Sequence, residues 1–158
     1  MGDPSVNKLP MKRLITAMIG GLLCVSPTLA QMPPPAPKAP SVAFTIQPTV
    51  ESAHDDIAII RWTTNNPGGS NDHFGVVHYG TSPNALTGTA KSHVRLNRGH
   101  SDTMFRVRLN GLQPQTTYYY TVTSTDGNGT SDGVQSGVGQ FTTPQAGQRI
   151  MNYPQSRG

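Results

Sequence analysis

The chain has 158 residues, of which 34% are hydrophobic and 13% charged, with a formal net charge of +4 and one cysteine. This is enough for one domain of ordinary size with tails, not for several. The weak charge imbalance gives no support for a dedicated nucleic-acid binder, since such proteins carry a concentrated basic face.

The first thirty residues read as a leader and not as part of a fold. Met11-Lys12-Arg13 is a positive start, Leu14 to Val25 a short apolar stretch, and Thr28-Leu29-Ala30 a small-residue site with cleavage expected after Ala30. Residues 1–10 look like an upstream extension. The apolar stretch is too short for a membrane span, so the chain is expected to be secreted to the cell surface, medium or periplasm. Gly21-Leu22-Leu23 is a poor match to a lipidation signal at Cys24. Removing the leader takes away Lys8, Lys12, Arg13 and Asp3, so twelve basic residues become nine, eight acidic ones become seven, and the net charge falls to +2. It also removes Cys24, leaving no thiol for a disulfide, a thiolate metal site or a nucleophile.

Residues 31–40 contain Met32-Pro33-Pro34-Pro35-Ala36-Pro37-Lys38-Ala39-Pro40, a run that favours polyproline II and reads as a semi-rigid spacer, or alternatively as a Pro-rich recognition segment. Short strand patterns separated by turn residues follow, the signature of an all-β sandwich. A first strand spans Val42 to Val50, with Pro48 marking an edge. A second spans Ile57 to Thr64, placing Ala58, Ile60 and Trp62 on one face and Ile57, Ile59 and Arg61 on the other. After a polar loop from Asn65 to Asp72, a third strand runs from Phe74 to Gly80, with Val77 and Tyr79 inward and His78 outward. Lys91 to Leu96 and Thr103 to Leu109 are the fourth and fifth. In the fifth, Phe105, Val107 and Leu109 alternate with Arg106 and Arg108. A sixth carries Tyr118, Tyr120 and Val122 on one face. Asp126 to Gly137 reads as a glycine-rich loop, and Val138 to Thr143 as the last strand. Residues 145–158 are polar, aperiodic and expected to be disordered.

Leu112-Gln113-Pro114-Gln115-Thr116-Thr117-Tyr118 matches the pattern Leu-x-Pro-x-Thr-x-Tyr and resembles the tyrosine corner of fibronectin type III domains. The resemblance covers residues 41–144 and extends to the strand order, to Trp62 on the second strand and to the closing Phe141-Thr142-Thr143-Pro144. It implies a seven-stranded immunoglobulin-like sandwich. In it Leu112, Pro114 and Tyr118 form the corner, and Trp62, Val77, Leu109, Tyr120 and Val122 fill the core. Val76-Val77-His78-Tyr79-Gly80-Thr81-Ser82-Pro83, with Leu86 and Leu109-Asn110-Gly111-Leu112, is similar more narrowly to the N-terminal sandwich of purple acid phosphatases. In those enzymes that sandwich precedes the metallophosphatase domain and carries no catalytic metal ligands. The resemblance implies the accessory module alone.

The residues suggest no catalytic centre and no cofactor. His54, His73, His78, His93 and His100 show no i, i+2 or i+4 spacing. Asp72-His73 and His100-Ser101-Asp102 are the close acid–imidazole pairs and read as solvated polar pairs. Asp126, Asn128, Thr130 and Asp132 mimic the start of a calcium loop, but Gly137 stands at position twelve, where a bidentate acid is required; a turn capped by Asn and Asp is the competing reading. Asn128-Gly129-Thr130 is a glycosylation sequon, relevant only in a glycosylating host.

In the fibronectin topology the second and fifth strands are neighbours. Arg61, Arg106 and Arg108 would then share one face. They are candidates for docking an acidic partner, a polysaccharide or phosphate groups, or they simply cover a solvated face. Tyr119 should point outward and, with Phe74 or His78, would make a carbohydrate platform. Three functional readings follow: a secreted non-catalytic module that binds an extracellular protein or polysaccharide, an orphan accessory domain of the phosphatase kind, or a structural subunit of a surface matrix or filament. The oligomeric state is open.

Overall fold

A computed structural model describes residues 36–151 together with Gly2 and Pro34. The leader reading therefore lies outside the described residues. Nine strands follow one another: β1 (Phe44–His54), β2 (Ile57–Asn65), β3 (Asp72–Gly80), β4 (Gly88–Arg95), β5 (Asp102–Asn110), β6 (Thr117–Asp126), β7 (Ser131–Gln135), β8 (Gly139–Thr142) and β9 (Arg149–Met151). They form two antiparallel sheets packed as a sandwich. One has the order β5-β2-β1-β9; the other has the order β4-β3-β6-β7, with β8 also on β6.

Alternation along the strands builds the core. Thr103, Phe105, Val107 and Leu109 of β5 are buried while Met104, Arg106, Arg108 and Asn110 are exposed. From the facing sheet come Val77, Tyr118, Tyr120 and Val122, which meet Ala58, Ile60, Trp62, Phe105 and Leu109 in one cluster. Trp62 stacks on Phe105 at 5.4 Å between centroids and 18° between planes. Gly75 of β3 makes room for this pair, since a Cβ there would lie 3.0 Å from the Trp62 ring and 3.1 Å from that of Phe105.

Two strands exceed the seven expected. The segment from Asp126 to Gly137, read as a loop, contains β7, and the tail expected to be disordered contains β9. Strand β7 buries Asp132 and Val134 alternately, but one of its two inward positions is an acid, so no apolar period marks it. Strand β9 is held by pairing, not by burial: Arg149, Ile150 and Met151 sit opposite His54, Ala53 and Ser52 of β1. The turn before it is fixed where Gly147 N–H donates to Asp55 Oδ2 at 3.0 Å. Strand β1 continues past Val50 because Pro48 falls at a register shift, where the ladder needs no donor from it. Strand β4 likewise begins earlier than expected, at Gly88.

The Pro-rich segment departs from the spacer expectation. Ala39 N–H donates to Pro67 O at 2.7 Å and Gly69 N–H to Ala36 O at 2.8 Å, while the Arg98 guanidinium holds Pro34 O. The segment is a strap fastened to the β2–β3 loop, because its carbonyls accept bonds even where proline lacks a donor.

Candidate functional site

At the corner, Tyr118 is buried and its Oη accepts a hydrogen bond from Gln113 N–H at 2.9 Å. Leu112 is buried beside it. Gln115, just after Pro114, adopts φ of 50°. Thr143 closes the corner, receiving Thr116 N–H on Oγ1 at 3.0 Å. This constellation is architectural: every polar atom named is spent on the chain itself.

The arginines form a surface. Arg61 lies directly opposite Arg106 in the β2–β5 ladder, and Arg108 opposite Ile59, so all three share the outer face of that sheet. Glu51 of β1 reaches the same face. Arg106 Nε donates to Glu51 Oε2 at 2.7 Å and a second guanidinium nitrogen to Oε1, a two-pronged pair. That hydrogen bonding holds the Glu51 carboxyl below the usual range; burial opposes the shift, and the charges of Arg106 and Arg61 add to it. Arg108 Nε rests on Asn110 Oδ1 at 2.8 Å. Among the described residues neither Arg61 nor Arg108 has a carboxylate partner within ion-pair distance. Among the described residues, these three arginines share the face with one buried acid, Glu51.

Tyr119 is not part of it. It lies on the other sheet, opposite Gly80 of β3 and Gln140 of β8, and is half-buried. His78 is its diagonal neighbour, with Nδ1 3.1 Å from Thr89 Oγ1. Phe74 is six positions along β3 from Gly80, about 20 Å away at the rise of a strand. Its ring instead meets His93 edge-on, at 5.4 Å and 62°. The platform of Tyr119 with Phe74 is therefore not formed.

The calcium reading loses its ligand set. Asp126 Oδ1 accepts the N–H groups of Asn128 at 2.9 Å and Thr130 at 2.8 Å, capping its own turn. These bonds lower its pKa, that of Thr130 most. Asp132 turns inward: Oδ1 lies 3.2 Å from His73 Nε2, and Oδ2 accepts Ser124 Oγ–H at 2.7 Å. Among the described residues no three His, Cys, Asp or Glu side chains converge as a metal ion would require.

The pair His73–Asp132 was invisible in the sequence. Asp72-His73 reads as a solvated polar pair, yet the two side chains point to opposite faces. Asp72 Oδ1 meets His93 Nε2 at 2.9 Å on the surface, and His73 goes inside. The inward parity of Val77, extended back along the strand through Gly75, is the signal that would have found it. Ser124, Asp132 and His73 do not make a nucleophile. The hydroxyl donates to the acid and not to the imidazole, and all three are buried. Likewise Ser101 Oγ binds Asp102 Oδ2 at 2.8 Å, without His100.

A family model described as the N-terminal domain of purple acid phosphatase matches residues 43–143. No curated relative matches the sequence. Among solved structures, the chain is similar to the sensor domain of the anti-sigma factor RsgI4 of Pseudobacteroides cellulosolvens, with 17% identity, 72% of this chain and 99% of that one covered, and a TM-score of 0.47. It is similar also to the fn3 domain of human contactin 1, with 17% identity, 77% and 92% covered, and a TM-score of 0.45. The third fibronectin III domain of the human KIAA0343 protein gives 16% identity, 79% and 90% covered, and a TM-score of 0.33.

Proposed function

Because the chain belongs to the family of purple acid phosphatase N-terminal domains, a fibronectin-like sandwich, we propose that it works outside the cell as a non-catalytic binding module. The observation that carries this reading is the extent of the match. Residues 43–143 take in the sandwich almost from end to end, and the family's domain is an accessory to catalysis, not its seat. The positive face of Arg61, Arg106 and Arg108 supports binding as the activity, since the charge is displayed on regular strands and only partly answered by Glu51. Export by the leader through Ala30 belongs to the same proposal.

The test begins with the full chain in a secreting host. Exported protein starting at Gln31 supports the reading; exported protein retaining residue 1 overturns the leader. That protein is then screened against extracellular polysaccharides and matrix proteins, with phosphatase substrates and divalent metals assayed in parallel. Binding without turnover supports the module. Metal-dependent turnover that follows the protein through several columns overturns it.

The family match favours a second reading, in which the domain acts beside a metallophosphatase catalytic chain. Co-purification with such a chain, without hydrolysis by this one alone, is its distinguishing result.

A further inference from the structure

Strand β4 ends one sheet and β5 ends the other, and among the described residues no ladder joins them. The sandwich is therefore open along this side. Two adjoining depressions of about 400 and 370 Å³ run beside β5 and share Val94 and Met104. In the first, Ile59, Val94 and Met104 form an apolar floor, Arg106 and Arg108 one rim, and His93 of β4 the other. The second continues past Arg95 and His100 to Asp102. From Asp102 to Arg108 the trough is about 20 Å long at the rise of a strand.

Three features decide what suits it. The edge of β5 away from β2 offers backbone donors and acceptors, because among the described residues β5 pairs with β2 alone. Arg106 and Arg108 are two residues apart on that strand, so their spacing equals that of alternate side chains on another extended chain. Finally, the floor is aliphatic and thioether, with Met104 half-exposed at 52%. Neither depression is lined by a Phe, Tyr or Trp ring on which a sugar would stack. An apolar floor beneath a cationic rim suits an extended peptide better than a glycan.

We propose that the β4–β5 trough receives an acidic extended segment of a partner protein, laid along β5 by strand addition. Its alternate carboxylates lie on the outer face beside the Arg106–Arg108 row, which Met104 continues, and its intervening apolar side chains turn to the inner face, toward Val94. This rests on the binding-module reading and gives it a partner class and an address.

The full chain is titrated with a fluorescein-labelled peptide of alternating Glu and Val, and with a block peptide of the same composition. The alternating peptide should bind, more weakly as salt rises, and better than the block peptide. Arg108→Glu should weaken it about tenfold, because attraction at the rim becomes repulsion. Met104→Asp should weaken it as well, while Tyr119→Ala on the other sheet should not. Both trough positions are exposed, so an unchanged urea midpoint shows that the variants fold. Absence of peptide binding, equal binding of the block peptide, or indifference to Arg108→Glu would each overturn the proposal. So would binding of a sulfated polysaccharide with none of the peptide. A chain that binds matrix material in the wider screen but not the peptide loses this proposal alone; one that binds nothing in either assay loses the module reading too.

Discussion

His73 Nε2 of β3 and Asp132 Oδ1 of β7 meet inside the sandwich, 3.2 Å apart with each side chain 1% exposed, across the intervening strand β6. Ser124 of β6 completes the link by donating to the second oxygen of Asp132. Three strands of one sheet are thus joined through side chains beyond their backbone ladders.

Removing Asp132 leaves two buried polar groups, His73 Nε2 and Ser124 Oγ, without it, so Asp132→Ala should cost about 2–6 kcal/mol at about 1–3 kcal/mol for each group. Ser124→Ala, which removes one buried hydrogen bond to Asp132 Oδ2, should cost about 1–3 kcal/mol. Urea denaturation reads both. A midpoint for Asp132→Ala close to that of the parent would show that the pair contributes nothing to stability.

The same pair shows where the sequence stops being legible. The apolar alternation of Phe105, Val107 and Leu109 names its strand and both of its faces, and the Leu112–Pro114–Tyr118 spacing names the corner. Arg61, Arg106 and Arg108 could be placed on one face because strand order and parity suffice for that. Glu51 could not, because its approach to Arg106 depends on the register shift after Val50, which no composition reveals. Strand β7 was hidden because an inward Asp132 imitates a turn residue. Strand β9 was hidden because its stability comes from backbone pairing with β1, and exposed pairing leaves no hydrophobic trace. The β4–β5 trough arises from the way two sheets part, a property of packing that no single strand encodes.

The pair Glu51–Arg106 should make stability fall in acid. The folded pKa of Glu51 lies below its ordinary value of 4.5, first because Arg106 hydrogen-bonds the charged form. A depressed carboxylate contributes stability that is fully present above the unfolded pKa and is lost as pH falls through the folded one. The loss should therefore begin below about 4.5, and Glu51→Gln should flatten that part of the curve. Thermal midpoints from pH 6 downward, compared between parent and variant, check this. An identical acid limb in both would remove Glu51 from the account.

Strand β9 predicts a cost for truncation. A chain ending at Pro144 loses the three-residue pairing with β1 and the Gly147–Asp55 bond. At about 0.5–1.5 kcal/mol for each of at least three net hydrogen bonds, the truncated protein should be less stable by roughly 1.5–4.5 kcal/mol. It should also expose the Ser52–His54 edge, which hydrogen exchange at those amides would detect. Unchanged protection there would mean that residues 145–151 are as loose as their composition suggests.

Gly68 predicts coupling between the β2–β3 loop and the Pro-rich strap. Its φ is +64°, and a Cβ there would lie 1.9 Å from Pro37 O, a backbone atom that cannot swing aside. Gly68→Ala thus has two separable costs. The left-handed conformation costs about 1–2 kcal/mol wherever the strap lies. The clash adds the loss of the Ala39–Pro67 and Gly69–Ala36 bonds, about 0.5–1.5 kcal/mol each. Deleting residues 31–39 removes the second cost and leaves the first. A double-mutant cycle between Gly68→Ala and that deletion should therefore return a coupling of about 1–3 kcal/mol, measured by urea unfolding. Strictly additive effects would mean that the segment is a spacer after all, and that Arg98 and the loop grip nothing that matters to folding.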